Sequence, residues 1–63
     1  MSTFTVLKSY ADGAPDDQLG EFDTRTEAVR TTSKVPLEPG DSVYVVDEHG
    51  KEWYRLGPFR PVA

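Results

Sequence analysis

Cysteine is absent from this 63-residue chain, so neither a disulfide nor a cysteine-ligated zinc ion can hold it together. Histidine is almost absent. His49 stands alone and cannot anchor a transition metal without several carboxylate partners. Long apolar runs are missing too: nothing approaches the roughly 20 consecutive apolar residues that a membrane span needs. The opening stretch Met1–Lys8 has no basic segment followed by an apolar core, so it does not read as a secretory signal. Positive charge is scarce, with seven basic residues against eleven acids and a net charge of −4. A chain of that sign repels phosphate backbones unless its cations cluster, which argues against a nucleic-acid partner. These absences lead us to expect a protein of a reducing, cytoplasmic compartment with no membrane contact.

Recognisable reaction chemistry is also missing. No glycine-rich phosphate cradle occurs. His49 falls in a turn without a serine or cysteine nucleophile and supporting acid beside it. Asp12, Asp16 and Asp17 share one loop, but their spacing is not that of a calcium loop. The pairs Asp16-Asp17 and Asp47-Glu48 lie in loops of a chain too short for a deep cleft that would drive their pKa values apart. We therefore expect no catalytic residues, no metal and no cofactor.

What remains is a single small α+β domain over residues 1–63. Chains of this length bury only about 60% of the surface they expose when unfolded, so tight packing or self-association has to compensate. Phe4–Tyr10 is rich in β-branched and aromatic residues and predicts a first strand. Ala11–Asp17 carries glycine, proline and three aspartates and predicts a loop. Gln18–Phe22 predicts a short return strand. Thr24-Arg25-Thr26-Glu27 is a capping box, placing a helix from Arg25 to about Ser33 with Ala28, Val29 and Thr32 on its inner face. Pro36 stops it. Glu38-Pro39-Gly40-Asp41 suits a type II turn. Ser42–Asp47 and Glu52–Leu56 predict a hairpin closed by a turn with Gly50 at its positive-φ position. The order is β-β-α-β-β, an antiparallel sheet with one short helix on one face, followed by an extended proline-containing tail at 57–63.

Strict alternation through that hairpin pairs Asp47 with Lys51, Val46 with Glu52, Val45 with Trp53, Tyr44 with Tyr54 and Val43 with Arg55. Val43, Val45 and Trp53 then form the core face. Tyr44, Val46, Tyr54 and Leu56 form the other face, a candidate interaction surface, since one short helix covers only one side. The alternative is that the sheet curls, or that Phe59 and Val62 of the tail fold over this face. A second, smaller candidate is a basic strip of Arg25, Arg30 and Lys34, extended by Arg60 or Arg55, against the plainer reading of a solvated helix face.

Two resemblances follow from these motifs. The run Phe22–Val29 with its T-x-x-E-A helix start, and Val45–Lys51 with its V-x-D-x-x-G-K hairpin, resemble small YegP-like bacterial domains of unknown function. That resemblance implies a fold but no activity. Tyr54-Arg55-Leu56-Gly57-Pro58-Phe59 resembles the end of a sporulation-related repeat domain, a peptidoglycan-binding family. The chain departs from that pattern in lacking the second helix that follows the G-P-F of the family. The expected function is a non-enzymatic protein-interaction or regulatory module with a protein partner, a homodimer through the open sheet face among the options. The alternative is a nucleic-acid- or glycan-binding module.

Overall fold

Alternating β-branched and aromatic residues make Phe4–Ser9 the first strand, β1, in a computed structural model that describes residues 3–58. The loop after it returns the chain as β2, Asp17–Phe22, paired antiparallel to β1. The pairing slips once: Val6 faces Gly20 while Leu7 faces Gln18, leaving Leu19 as the extra residue of a β-bulge.

Thr24 then starts α1, Arg25–Thr32, as the capping box predicts. Its hydroxyl oxygen accepts the backbone N–H of Glu27 at 3.2 Å. The helix is short and rich in threonine, so packing has to hold it. Ala28 and Thr32 are fully buried, and the Thr32 hydroxyl donates to the Val29 carbonyl at 2.6 Å. After the helix, the Asp41 N–H donates to the Glu38 carbonyl at 2.9 Å, closing the predicted turn. Gly40 has φ +89°, and a Cβ there would lie 2.7 Å from that of Ala11, so no other residue fits. The buried Asp41 carboxylate also accepts the N–H groups of Ala11 and Glu38, tying the two loops at this end together.

β3, Ser42–Val46, and β4, Glu52–Leu56, complete one antiparallel sheet of order β2-β1-β3-β4. The helix carries the chain from β2 across β1 to β3, packing on all three strands. Four small residues, Val6, Ala28, Val43 and Val45, are fully buried between the layers. Phe4, Phe22, Val29, Val35, Leu37 and Leu56 pack around them. The α+β fold and β-β-α-β-β order are those the sequence predicts. The tail positions invoked as a cover, Phe59 and Val62, and the cation Arg60 lie outside the described residues.

The hairpin departs from strict alternation. Asp47 and Lys51 do close it, with the Asp47 N–H donating to the Lys51 carbonyl at 2.9 Å, and Val46 does pair with Glu52. Beyond that point Val45 pairs with Tyr54, Tyr44 with Arg55 and Val43 with Leu56. Trp53 is the extra residue of a second bulge. Because side chains alternate with period two, one inserted residue sends every later side chain to the opposite face. Trp53 is consequently not in the core; it remains 43% exposed.

Candidate interaction surface

The bulge divides the expected interaction face in two. Tyr44 and Val46 project from the open face, away from the helix, whereas Tyr54 and Leu56 follow Val45 and Val43 onto the helix side. Leu56 joins the rim of the core. Tyr54 stays 37% exposed because α1 lies over β2, β1 and β3 and not over β4.

On the open face, polar groups satisfy one another. The Tyr44 hydroxyl donates to the Asp16 carboxylate, which the β1–β2 loop brings over the sheet. The Arg55 guanidinium lies 4.7 Å from the centre of the Tyr44 ring. Its Nη2 and Nε reach Glu52 Oε1 at 2.6 and 3.1 Å, and its Nη1 donates to Ser42 Oγ at 3.0 Å. The hydrogen bond to Asp16, followed by desolvation, raises the Tyr44 pKa above its ordinary value. The hydrogen bond from Arg55 lowers that of Glu52.

On the helix side of β4, an aromatic side chain is held in place but left uncovered. The Trp53 indole N–H donates to Asp47 Oδ2 at 3.0 Å. The other oxygen of Asp47 accepts the backbone N–H groups of His49 and Lys51 at 2.8 and 2.9 Å. These bonds, with that from Trp53 first, hold the Asp47 pKa below the usual carboxylate value. Lys51 Nζ lies 4.6 Å and the Arg25 guanidinium 5.3 Å from the indole centre. Phe4, Arg25, Thr26 and Trp53 line a cleft of about 280 Å³ between the helix start and the hairpin. This part of the surface combines an apolar floor, a fixed indole and two cations.

Of the residues of the basic strip, Arg25 turns to Trp53 and Arg55 projects from the opposite sheet face, Arg30 and Lys34 are exposed around the end of the helix, and Arg60 lies outside the described residues. Among the loop acids, Asp12 accepts the Ala14 N–H at 3.0 Å, and Asp17 accepts the Tyr10 hydroxyl at 2.5 Å. His49 sits exposed in the hairpin turn. Among the described residues no three His, Asp or Glu side chains converge as a metal-binding group. Nor, among them, is any helix long and apolar enough to cross a membrane. Comparison of the chain with protein-family models, curated proteins and solved structures finds no match.

The sequence reading missed Trp53 as a surface residue and Phe4 as its neighbour. A signal was present: strict alternation set Arg55 opposite Val43, a charge on the core face. A bulge removes that conflict by exchanging Arg55 for Leu56.

Proposed function

We propose that this chain is a non-enzymatic protein-interaction module whose contact surface is the helix side and outer edge of β4. The observation that carries the reading is the preorganised, exposed Trp53. Its indole is fixed by Asp47 and stands beside the Phe4 cleft. A fixed aromatic side chain loses little conformational freedom on binding, and tryptophan is the residue type most enriched at interface hot spots. An edge strand adds backbone groups that another strand can pair with. A cytoplasmic setting fits a chain without cysteine.

The test is affinity capture from the cells that make the protein, comparing the parent with Trp53→Ser and Tyr44→Ser. Polypeptides retained by the parent and by Tyr44→Ser should be lost from Trp53→Ser. Equal retention by all three would overturn this surface. The exposed indole also favours a second reading, glycan binding, because a sugar ring can stack on it. Trp53-dependent binding of soluble peptidoglycan fragments would support that reading instead.

A further inference from the structure

Resting on the proposed contact surface around Trp53, we propose that its partner is an acidic polypeptide segment, seated by an apolar side chain in the Phe4 cleft and by carboxylates on Arg25 and Lys51. The chain as a whole carries a net charge of −4, so its overall field favours cationic ligands. The Trp53 patch is a local exception. Among the described residues the ion pairs join Lys8 to Asp41, His49 to Glu48 and Arg55 to Glu52. Arg25 and Lys51 belong to none of them, although Asp23 and Glu27 flank Arg25 in the sequence.

Both cations are gathered on one side chain, with Lys51 Nζ 4.6 Å and the Arg25 guanidinium 5.3 Å from the indole centre. Attraction to a ring engages the charge and leaves the N–H donors of both groups for a ligand. The acids of the adjoining turn are directed elsewhere. The oxygens of Asp47 accept the indole N–H and the backbone N–H groups of His49 and Lys51, and Glu48 accepts the Thr3 N–H at 2.9 Å. Cations already held in place lose less freedom when a ligand binds, and a guanidinium presents paired donors that match a carboxylate. The cleft sets the kind of ligand. At about 280 Å³ it is smaller than the roughly 300–1,000 Å³ of pockets that enclose small molecules, and it has room for one apolar side chain against Phe4 and the indole. The rest of such a ligand has to run over the surface, as a polypeptide does. A long polyanion such as nucleic acid would meet the negative field of the whole chain, whereas a short acidic segment meets the local cations.

Trp53 is the one tryptophan of the chain, so its fluorescence reports binding at this site directly. The probe is an acetylated, amidated hexapeptide alternating glutamate and leucine, beside counterparts with glutamine or lysine in place of glutamate. The glutamate peptide should change the emission saturably, more weakly as salt is raised. The glutamine peptide should bind about tenfold more weakly and the lysine peptide more weakly still. Arg25→Gln and Lys51→Gln should each weaken the glutamate peptide about three- to tenfold, and the double variant should lose it. Arg30→Gln, at an exposed position further along the helix, should bind as the parent does. Circular dichroism checks that each variant is folded. Lysine or glutamine peptides that bind as well as the glutamate peptide, or Arg25→Gln and Lys51→Gln variants that bind like the parent, would overturn the proposal. If the glutamate peptide fails while Trp53-dependent capture of a polypeptide persists, the acidic partner is wrong and the contact surface stands. If that capture is independent of Trp53 as well, the surface itself falls.

Discussion

The two faces of the β3–β4 hairpin are built from similar residues and end in opposite states. The open face carries Tyr44, Val46 and Arg55, and its polar groups are paired: hydroxyl to Asp16, guanidinium to Glu52 and Ser42. The helix side carries Val43, Val45, Tyr54 and Leu56 with Trp53 beside them. There the valines are sealed under α1 while Trp53 and Tyr54 extend past its reach. A tyrosine is on each face, so residue type does not separate them. What separates them is coverage: Tyr44 and Arg55 pair with groups lying across the open face, whereas Trp53, though bonded to Asp47, and Tyr54 lie beyond the strands on which α1 packs. The more exposed aromatic surface arises on the side that has the helix, because the helix is too short to cover four strands.

The sharpest way to break this contrast is at β3, where adjacent valines face opposite ways. Val45→Ala removes two methyl groups from a fully buried site and should cost about 2–3 kcal/mol, read from the denaturation midpoint. Val46→Thr, on the half-buried open side, should cost less than about 1 kcal/mol by the same measurement. Equal costs would mean the two faces are not distinct.

Trp53→Ala should fall between these, at about 1–2 kcal/mol, although it removes far more atoms than Val45→Ala. A half-exposed indole gives up only part of its transfer free energy, plus weak attractions to Lys51 and Arg25. A loss above that of Val45→Ala would place Trp53 in the core after all.

The smallest effect concerns the closed network on the open face. Tyr44 has a raised pKa because its hydroxyl donates to Asp16. The stabilisation from that bond is therefore complete below the ordinary tyrosine value of 10.0 and is lost as pH rises through the folded-state value. Asp16→Ala should bring one tyrosine's absorbance titration down toward that ordinary value and lower neutral-pH stability slightly, as expected for one exposed hydrogen bond. Superimposable titrations of parent and variant would mean Asp16 does not close this face.

Much of this was legible before the structure. The capping box at Thr24, the Pro39-Gly40 turn and the Gly50 hairpin turn are local signals, each requiring particular residues at fixed positions. They set the element order and the first rungs of the hairpin correctly. The candidate surface depended on something less local. Whether Glu52-Trp53-Tyr54-Arg55-Leu56 runs in regular alternation or slips by one is decided by which side chains the core accepts. Regular alternation offers Trp53 and Arg55 to the space beneath α1; the bulge offers Tyr54 and Leu56. The second set avoids burying a guanidinium and lets Asp47 hold the indole N–H. The β2 bulge at Leu19 left no comparable mark, since the neighbouring side chains are polar or absent in both registers.

Cross-strand proton contacts measured by nuclear magnetic resonance test the bulge, on which both face assignments rest. Val45 should show contacts to Tyr54 across the strand pair and Tyr44 should show them to Arg55, with Trp53 near Phe4 and Arg25. Contacts from Val45 to Trp53 and from Tyr44 to Tyr54 would instead establish regular alternation. They would return the tyrosines to one face and contradict the proposed surface.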